Sequence, residues 1–221
     1  MSRRTFLRNF AGRPPDEPKF TPHRASLGVG WFTNALLRTH EDKQVRFYDD
    51  CIRGREVLIN LFYANCESAC PLATSRLVKV HEELKDRMGK NLFMYSMTVK
   101  PEEDDPKALR QYAEMHGALL PGWTFLTGDQ YDIDTIRYRL FGMNHIMVDS
   151  DIYSHTSFMR IINDAANLWY MVDPMASMST ILLKISWADP PKTFEELVEA
   201  NKKLQEKINK EKKLYGYRNT L

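Results

Sequence analysis

The sequence predicts an α/β protein, a three-layer sandwich in which helices cover both faces of a central mixed sheet. Three observations carry this. Apolar runs of strand length recur between stretches whose apolar residues fall at helical spacing. Glycines and an Asp-Pro step mark the junctions. The last two strand-like runs are joined by the polar turn Asn163 to Asn167, so a hairpin closes the sheet before a final helix.

The elements follow in order. Leu36-Leu37-Arg38-Thr39 and Gln44-Val45-Arg46-Phe47 flank a polar turn and predict a small hairpin. Val57 to Tyr63 predicts a central strand. The next helix aligns Ala73, Leu77, Val80, Leu84 and Met88, with Gly89 as its C-cap. Leu92 to Val99 predicts a second strand. Asp105-Pro106 supplies an N-cap and a first-turn proline. The helix they open carries Leu109, Tyr112, Ala113 and His116 on one face and stops at Gly117. Trp123 to Leu126 is a short strand. Asp132 is expected to cap a helix that buries Ile133, Ile136, Arg137 and Leu140 and ends at Gly142. Phe158 to Ile162 and Leu168 to Met171 form the closing hairpin, and Ser177 to Ile185 the last helix. This order is that of a thioredoxin-like fold.

A chain of 221 residues fits one domain with extensions. The expected division is a leader over 1–30, the thioredoxin-like domain over 31–188, and a C-terminal amphipathic helix and tail over 189–221. A net charge of +2 argues against nucleic acid as a partner. Three cysteines cannot build a disulfide scaffold. Ser2-Arg3-Arg4-Thr5-Phe6-Leu7-Arg8 resembles a twin-arginine export signal, but the polar, Pro-rich Asn9 to Pro18 stands where a hydrophobic region belongs. No stretch approaches the roughly 20 apolar residues of a transmembrane span. Thr193-Phe194-Glu195-Glu196 is a capping box, and Leu197, Ala200, Leu204 and Ile208 form a narrow stripe behind it. That stripe suits a helix lying on its own domain or one docking a partner.

Cys66 and Cys70 carry the chemistry. They follow the apolar run Leu58 to Phe62 and open an amphipathic stretch, in the order Asn65-Cys66-Glu67-Ser68-Ala69-Cys70-Pro71. A strand turning into a helix places both sulfurs at a helix N-terminus, where unpaired N–H groups and the helix dipole favour thiolate. Residues four apart share a helix face, so the pair can grip one metal ion, or form a disulfide if the first turn distorts. No second Cys pair completes a tetrahedral zinc site. Two soft sulfurs suit Cu(I), with an imidazole as a good third ligand. His155, in Asp151-Ile152-Tyr153-Ser154-His155-Thr156-Ser157, is the expected third ligand. In a thioredoxin-like sheet its loop faces the cysteine helix. A thioredoxin has a cis-proline in that loop, whereas here no proline occurs between Leu140 and Tyr170.

These features together resemble the Sco/SenC family of copper-binding, thioredoxin-fold proteins that help assemble cytochrome c oxidase. The resemblance covers roughly 32–188. It rests on Cys66-x3-Cys70-Pro71, on Asp105-Pro106 with Leu109 to Gly117, on Gly122-Trp123-Thr124-Phe125-Leu126-Thr127-Gly128, and on His155 before a strand. It implies copper bound by Cys66, Cys70 and His155, as Cu(I) with Cu(II) also open, and delivery to an acceptor such as an oxidase subunit. It implies a periplasmic or membrane-associated (intermembrane-space-like) location, which the leader's missing hydrophobic region opposes. Two other roles stay open: a thiol–disulfide oxidoreductase in which Cys66 attacks and Cys70 resolves, and a structural or accessory subunit of a larger complex. The chain departs from the family pattern at Glu67, Ser68, Lys100 and Ser154, each of which changes the charge near the motif.

Other candidates have simpler explanations. Cys51 is expected to be a buried structural thiol. His145, Met159, Met171, Met175 and Met178 make this half of the chain rich in soft ligands, but core filling is the expected role of the methionines. Tyr63 and Asn65 flank the cysteines and are placed to shape their surroundings.

Overall fold

A computed structural model describes residues 31–67, 69–142 and 158–189, together with Val198, Glu199, Lys202, Glu206 and Asn209. The leader lies outside the described residues. So do His145, His155 and the stripe residues Leu197, Ala200, Leu204 and Ile208.

Among the described residues seven strands form one mixed sheet: β1 (Leu36–Thr39), β2 (Gln44–Arg46), β3 (Glu56–Phe62), β4 (Leu92–Thr98), β5 (Trp123–Gly128), β6 (Met159–Asn163) and β7 (Leu168–Val172). Their order across the sheet is β2-β1-β5-β4-β3-β6-β7. The central strands β5, β4 and β3 run parallel, and β1, β2, β6 and β7 pair antiparallel with their neighbours. β3 is buried along nearly its whole length because both faces are covered, which explains its unbroken apolar run.

Among the described residues four α-helices cover the sheet: α1 (Ala69–Glu83), α2 (Pro106–Met115), α3 (Gln130–Phe141) and α4 (Met178–Ala188). Leu77 and Val80 of α1, Leu109, Tyr112 and Ala113 of α2, and Ile181 and Ile185 of α4 share one apolar cluster with Leu58 and Phe125. Ile133, Ile136 and Leu140 of α3 pack on the other face, with Phe32, Phe47, Val57 and Ile59. The three layers are therefore those of the predicted thioredoxin-like sandwich.

Most ends follow their local chemistry. Asp105 caps α2 by accepting from the Ala108 N–H at 2.8 Å, and Gly142 ends α3 in the left-handed conformation at φ 69. Two ends differ from expectation. α3 is capped by Asp129, which accepts from the Tyr131 N–H at 2.9 Å, while Asp132 lies inside the first turn. α1 stops at Glu83 rather than at Gly89, because Met88 pairs with Leu92 as the chain turns into β4. Its buried line is Cys70, Thr74, Leu77, Val80 and His81.

Candidate metal centre

Parallel β3 and β4 end on one edge of the sheet, and the turn from β3 into α1 carries the cysteines there. Phe62 closes β3, and Cys66 donates its N–H to the Tyr63 carbonyl at 3.3 Å. Cys70 is the second residue of α1, and its N–H donates to the Cys66 Sγ at 3.4 Å. The structure thus brings the two predicted cysteines together. Both are thiols, with Cys66 5% exposed and Cys70 7% exposed, inside the cluster that holds Phe62, Tyr112 and Met159.

Burial changes the electrostatics expected of a helix N-terminus. The helix end favours an anion by about 0.3–1 kcal/mol, whereas removing an ion from water costs several kcal/mol even after relaxation. Burial wins at Cys70: its thiol is pushed up to about 12, with the neighbouring Cys66 adding to the effect. Cys70 is therefore held as the thiol at neutral pH.

The turn is held from beneath by Asp104, which sequence reasoning passed over. This carboxylate is 1% exposed, accepts from the Ala64 N–H at 3.0 Å, and accepts from the Thr98 hydroxyl. Burial raises its pKa, and the two hydrogen bonds oppose that rise. Tyr112 forms the adjoining wall. Its hydroxyl meets the Thr74 hydroxyl at 2.8 Å and its ring packs on Phe62 at 4.8 Å. Burial first, and the nearby Cys70 and Cys66 sulfurs with it, raise the Tyr112 pKa. Above the turn, the Lys100 ammonium sits 4.8 Å from the centre of the Tyr63 ring.

His155 lies outside the described residues. Strand β6, which begins four residues after it, starts at the cysteine edge, since Arg160 pairs with Ile59 and β6 runs antiparallel to β3. Among the described residues no group of three or more His, Cys, Asp or Glu side chains is arranged to hold a metal ion. Cys51 is a buried thiol on the far face of the sheet. It is 2% exposed and burial pushes it up to about 12, which fits a structural role. Met159 fills the core as expected, but Met171 and Met175 are 43% and 46% exposed.

The SCO1 protein homolog of Bacillus subtilis (strain 168) is 29% identical to this chain over 93 residues, or 42% of this chain and 48% of that protein. The match thus spans about half the relative's length. BsSco, described as a member of the Sco family of cytochrome c oxidase assembly proteins in which a disulfide switch was identified, superposes with a TM-score of 0.57 at 21% identity. That superposition covers 69% of this chain and 90% of BsSco. Yeast Sco1 with copper bound superposes with a TM-score of 0.54 at 17% identity, over 77% of this chain and 99% of the yeast chain. At these identities the two structures establish the shared fold. A model of the SCO1/SenC family matches residues 36–188, and the chain belongs to the SCO1/SenC family.

Proposed function

We propose that this protein is a copper chaperone-like assembly factor that binds one copper ion through Cys66, Cys70 and His155 and passes it to a respiratory oxidase copper centre. The observation that carries the reading is the buried Cys66–Cys70 pair, joined through the Cys70 N–H at the end of a central strand. Family membership and the copper-bound yeast relative support copper as the cargo. Two thiolates are soft donors that favour Cu(I), and a low-coordinate ion needs one further ligand. His155, four residues before β6 in sequence, supplies it in this reading.

The residues do distinct work in this scheme. Cys66 and Cys70 grip the ion once their protons pass to solvent. Asp104 keeps the turn in shape through Ala64, and Tyr112 and Phe62 keep water off its inner side. Copper leaves by ligand exchange, as donor atoms of an acceptor replace these one at a time. Exchange with the disulfide of a redox partner passes two electrons and two protons to that disulfide, joins Cys66 to Cys70 and leaves no thiolate for the metal. Redox state therefore gates loading, a role the disulfide switch of BsSco supports. The same reading assigns 31–188 to the copper-binding domain, 1–30 to a leader and 189–221 to a helix and tail. It places the protein in the periplasm or at a membrane. No helix among the described residues is long and apolar enough to cross one.

The test is a Cu(I) titration of reduced protein against a competing chelator, beside His155→Ala and the Cys66→Ser/Cys70→Ser double variant. One tight equivalent is expected, weakened by His155→Ala and abolished by the double change. Binding that survives the double change, or equal affinity in the oxidised protein, overturns the reading.

A further inference from the structure

The two ends of the sheet differ in charge. Strands β3, β4 and β5 are parallel, and β7 runs in the same direction through β6, so the segments that leave these strands share one edge with the cysteines. Among the described residues those segments expose the carboxylates of Glu67, Glu102, Glu103, Asp105, Asp129 and Asp173 against the ammonium of Lys100, while Arg46 and Asp50 at the end of β2 on the same edge cancel. The first helical turns beyond them add Lys107 and Asp132, which cancel. At the opposite edge, the turns over 40–43, 53–55, 82–91 and 164–167 carry Lys43, Arg53, Arg55, Lys85, Arg87 and Lys90 against Glu41, Asp42, Glu82, Glu83, Asp86 and Asp164, so the charges there balance. In a chain of net charge +2, the acidic excess thus gathers at the working end.

The acidic end also exposes apolar side chains. Leu72, one turn into α1 and two residues past Cys70, is 58% exposed. Arg76, one turn further along the same face, donates to the Ala176 carbonyl at 2.9 Å. That bond brings the α1 face up to the loop after β7, where Met175 is 46% exposed. Phe158, at the start of β6 on the same edge, is 42% exposed. Apolar groups beside a charged rim are the anatomy of a protein-binding face.

We infer that the cysteine end is a docking face for a protein surface of the complementary kind, basic at its rim and apolar at its centre. The acidic rim steers such a partner toward the thiols, and Leu72, Phe158 and Met175 hold it there. The inference rests on Cys66 and Cys70 marking the working end, but it does not require that they bind copper.

The test uses the full-length protein and a fluorescent 18-residue peptide of alternating lysine and leucine, with no thiol, beside a counterpart in which glutamate replaces lysine. Anisotropy is read at low and at roughly physiological salt. The lysine peptide is expected to bind at least tenfold tighter than its counterpart and to weaken at least fivefold with salt. Charge reversal at the cysteine end (Glu102→Lys/Glu103→Lys/Asp129→Lys) should cost tenfold or more. The equivalent reversal at the far end (Glu82→Lys/Glu83→Lys/Asp86→Lys) should cost less than twofold. Leu72→Ser should weaken binding without changing its salt slope. Equal losses from the two reversals overturn the proposal, because attraction is then to net charge alone. Binding that strengthens when Lys210, Lys212 and Lys213 are changed to glutamate shows the chain's own tail occupying the face, and likewise overturns an external partner. Since the probe carries no metal ligand, failure here is separable from failure of the copper titration.

Discussion

The backbone N–H of Cys70 donates to the Sγ of Cys66 at 3.4 Å, so the sulfur of one cysteine caps the helix that carries the other. The capping role and the proposed ligand role therefore meet at Cys66 and can be separated. Cys66→Ser keeps an acceptor at the cap, whereas Cys66→Ala leaves the amide unpaired, a loss of about 1 kcal/mol. Urea unfolding should rank the reduced proteins as wild type, then Cys66→Ser, then Cys66→Ala. Cu(I) titration should instead show the two variants equally impaired. Equal stability of the serine and alanine variants would remove the capping role.

Arg87 contacts Glu56 at 2.6 Å and Asp189 at 2.8 Å, so two carboxylates share one guanidinium at the edge far from the cysteines. Glu56 is 6% exposed; burial, reinforced by Asp189 and only partly offset by Arg87, holds its pKa far above the ordinary carboxylate range. A raised pKa means that the native state holds a proton the unfolded chain has lost. The stabilisation is full below the ordinary value of 4.5 and fades as pH climbs toward the folded value. Between about pH 5 and pH 8 the melting temperature of wild type should therefore fall relative to that of Glu56→Gln. Parallel melting curves across that range would mean that Glu56 is charged throughout.

How much of this was legible depends on how local the cause is. The strand and helix order, the Asp105 cap and the Gly142 stop each depend on neighbours in sequence, and all were readable. Asp132 was mistaken for a cap because it adjoins the periodic stripe, while the true cap, Asp129, directly follows the end of β5. Asp104 and Asp105 look alike in sequence. Only the fold shows one capping α2 and the other turned inward to Ala64, forty positions away. His81 gave no signal either, since its partner is the Pro121 carbonyl at 2.8 Å. The methionines divided, because packing rather than residue type decides which one meets solvent. The two cysteines were found by spacing alone; His155 was placed by analogy with the fold.

Asp104 supports the cysteine turn by accepting from the Ala64 N–H and the Thr98 hydroxyl. Asp104→Asn keeps an oxygen acceptor of the same shape and should cost about 1 kcal/mol. Asp104→Ala leaves the Ala64 amide and the Thr98 hydroxyl unpaired and should cost about 2–3 kcal/mol. The alanine variant should also lower Cu(I) affinity, because the turn beneath Cys66 loosens. Denaturant melts paired with the competition titration check both. A copper affinity unchanged in Asp104→Ala would show that the turn holds its shape without this support.

Gly122 and Gly89 meet backbone to backbone where the loop before β5 touches the turn before β4. Both have positive φ, 72 and 75. A Cβ on Gly122 would lie 2.2 Å from the Gly89 nitrogen and 2.6 Å from its Cα, so the two turns would have to part. A Cβ on Gly89 would come no nearer than 3.4 Å to Gly122, so only the left-handed backbone opposes it. Gly122→Ala should therefore cost roughly 3 kcal/mol or more, through forced separation of packed backbone. Gly89→Ala should cost about 1–2 kcal/mol, the penalty of a side chain in the left-handed region. The contact lies at the edge away from the cysteines, so both variants that fold should still bind one equivalent of Cu(I). Thermal melts in the reduced state give the ranking, and a Gly122→Ala protein as stable as Gly89→Ala would show that the two turns are not in contact.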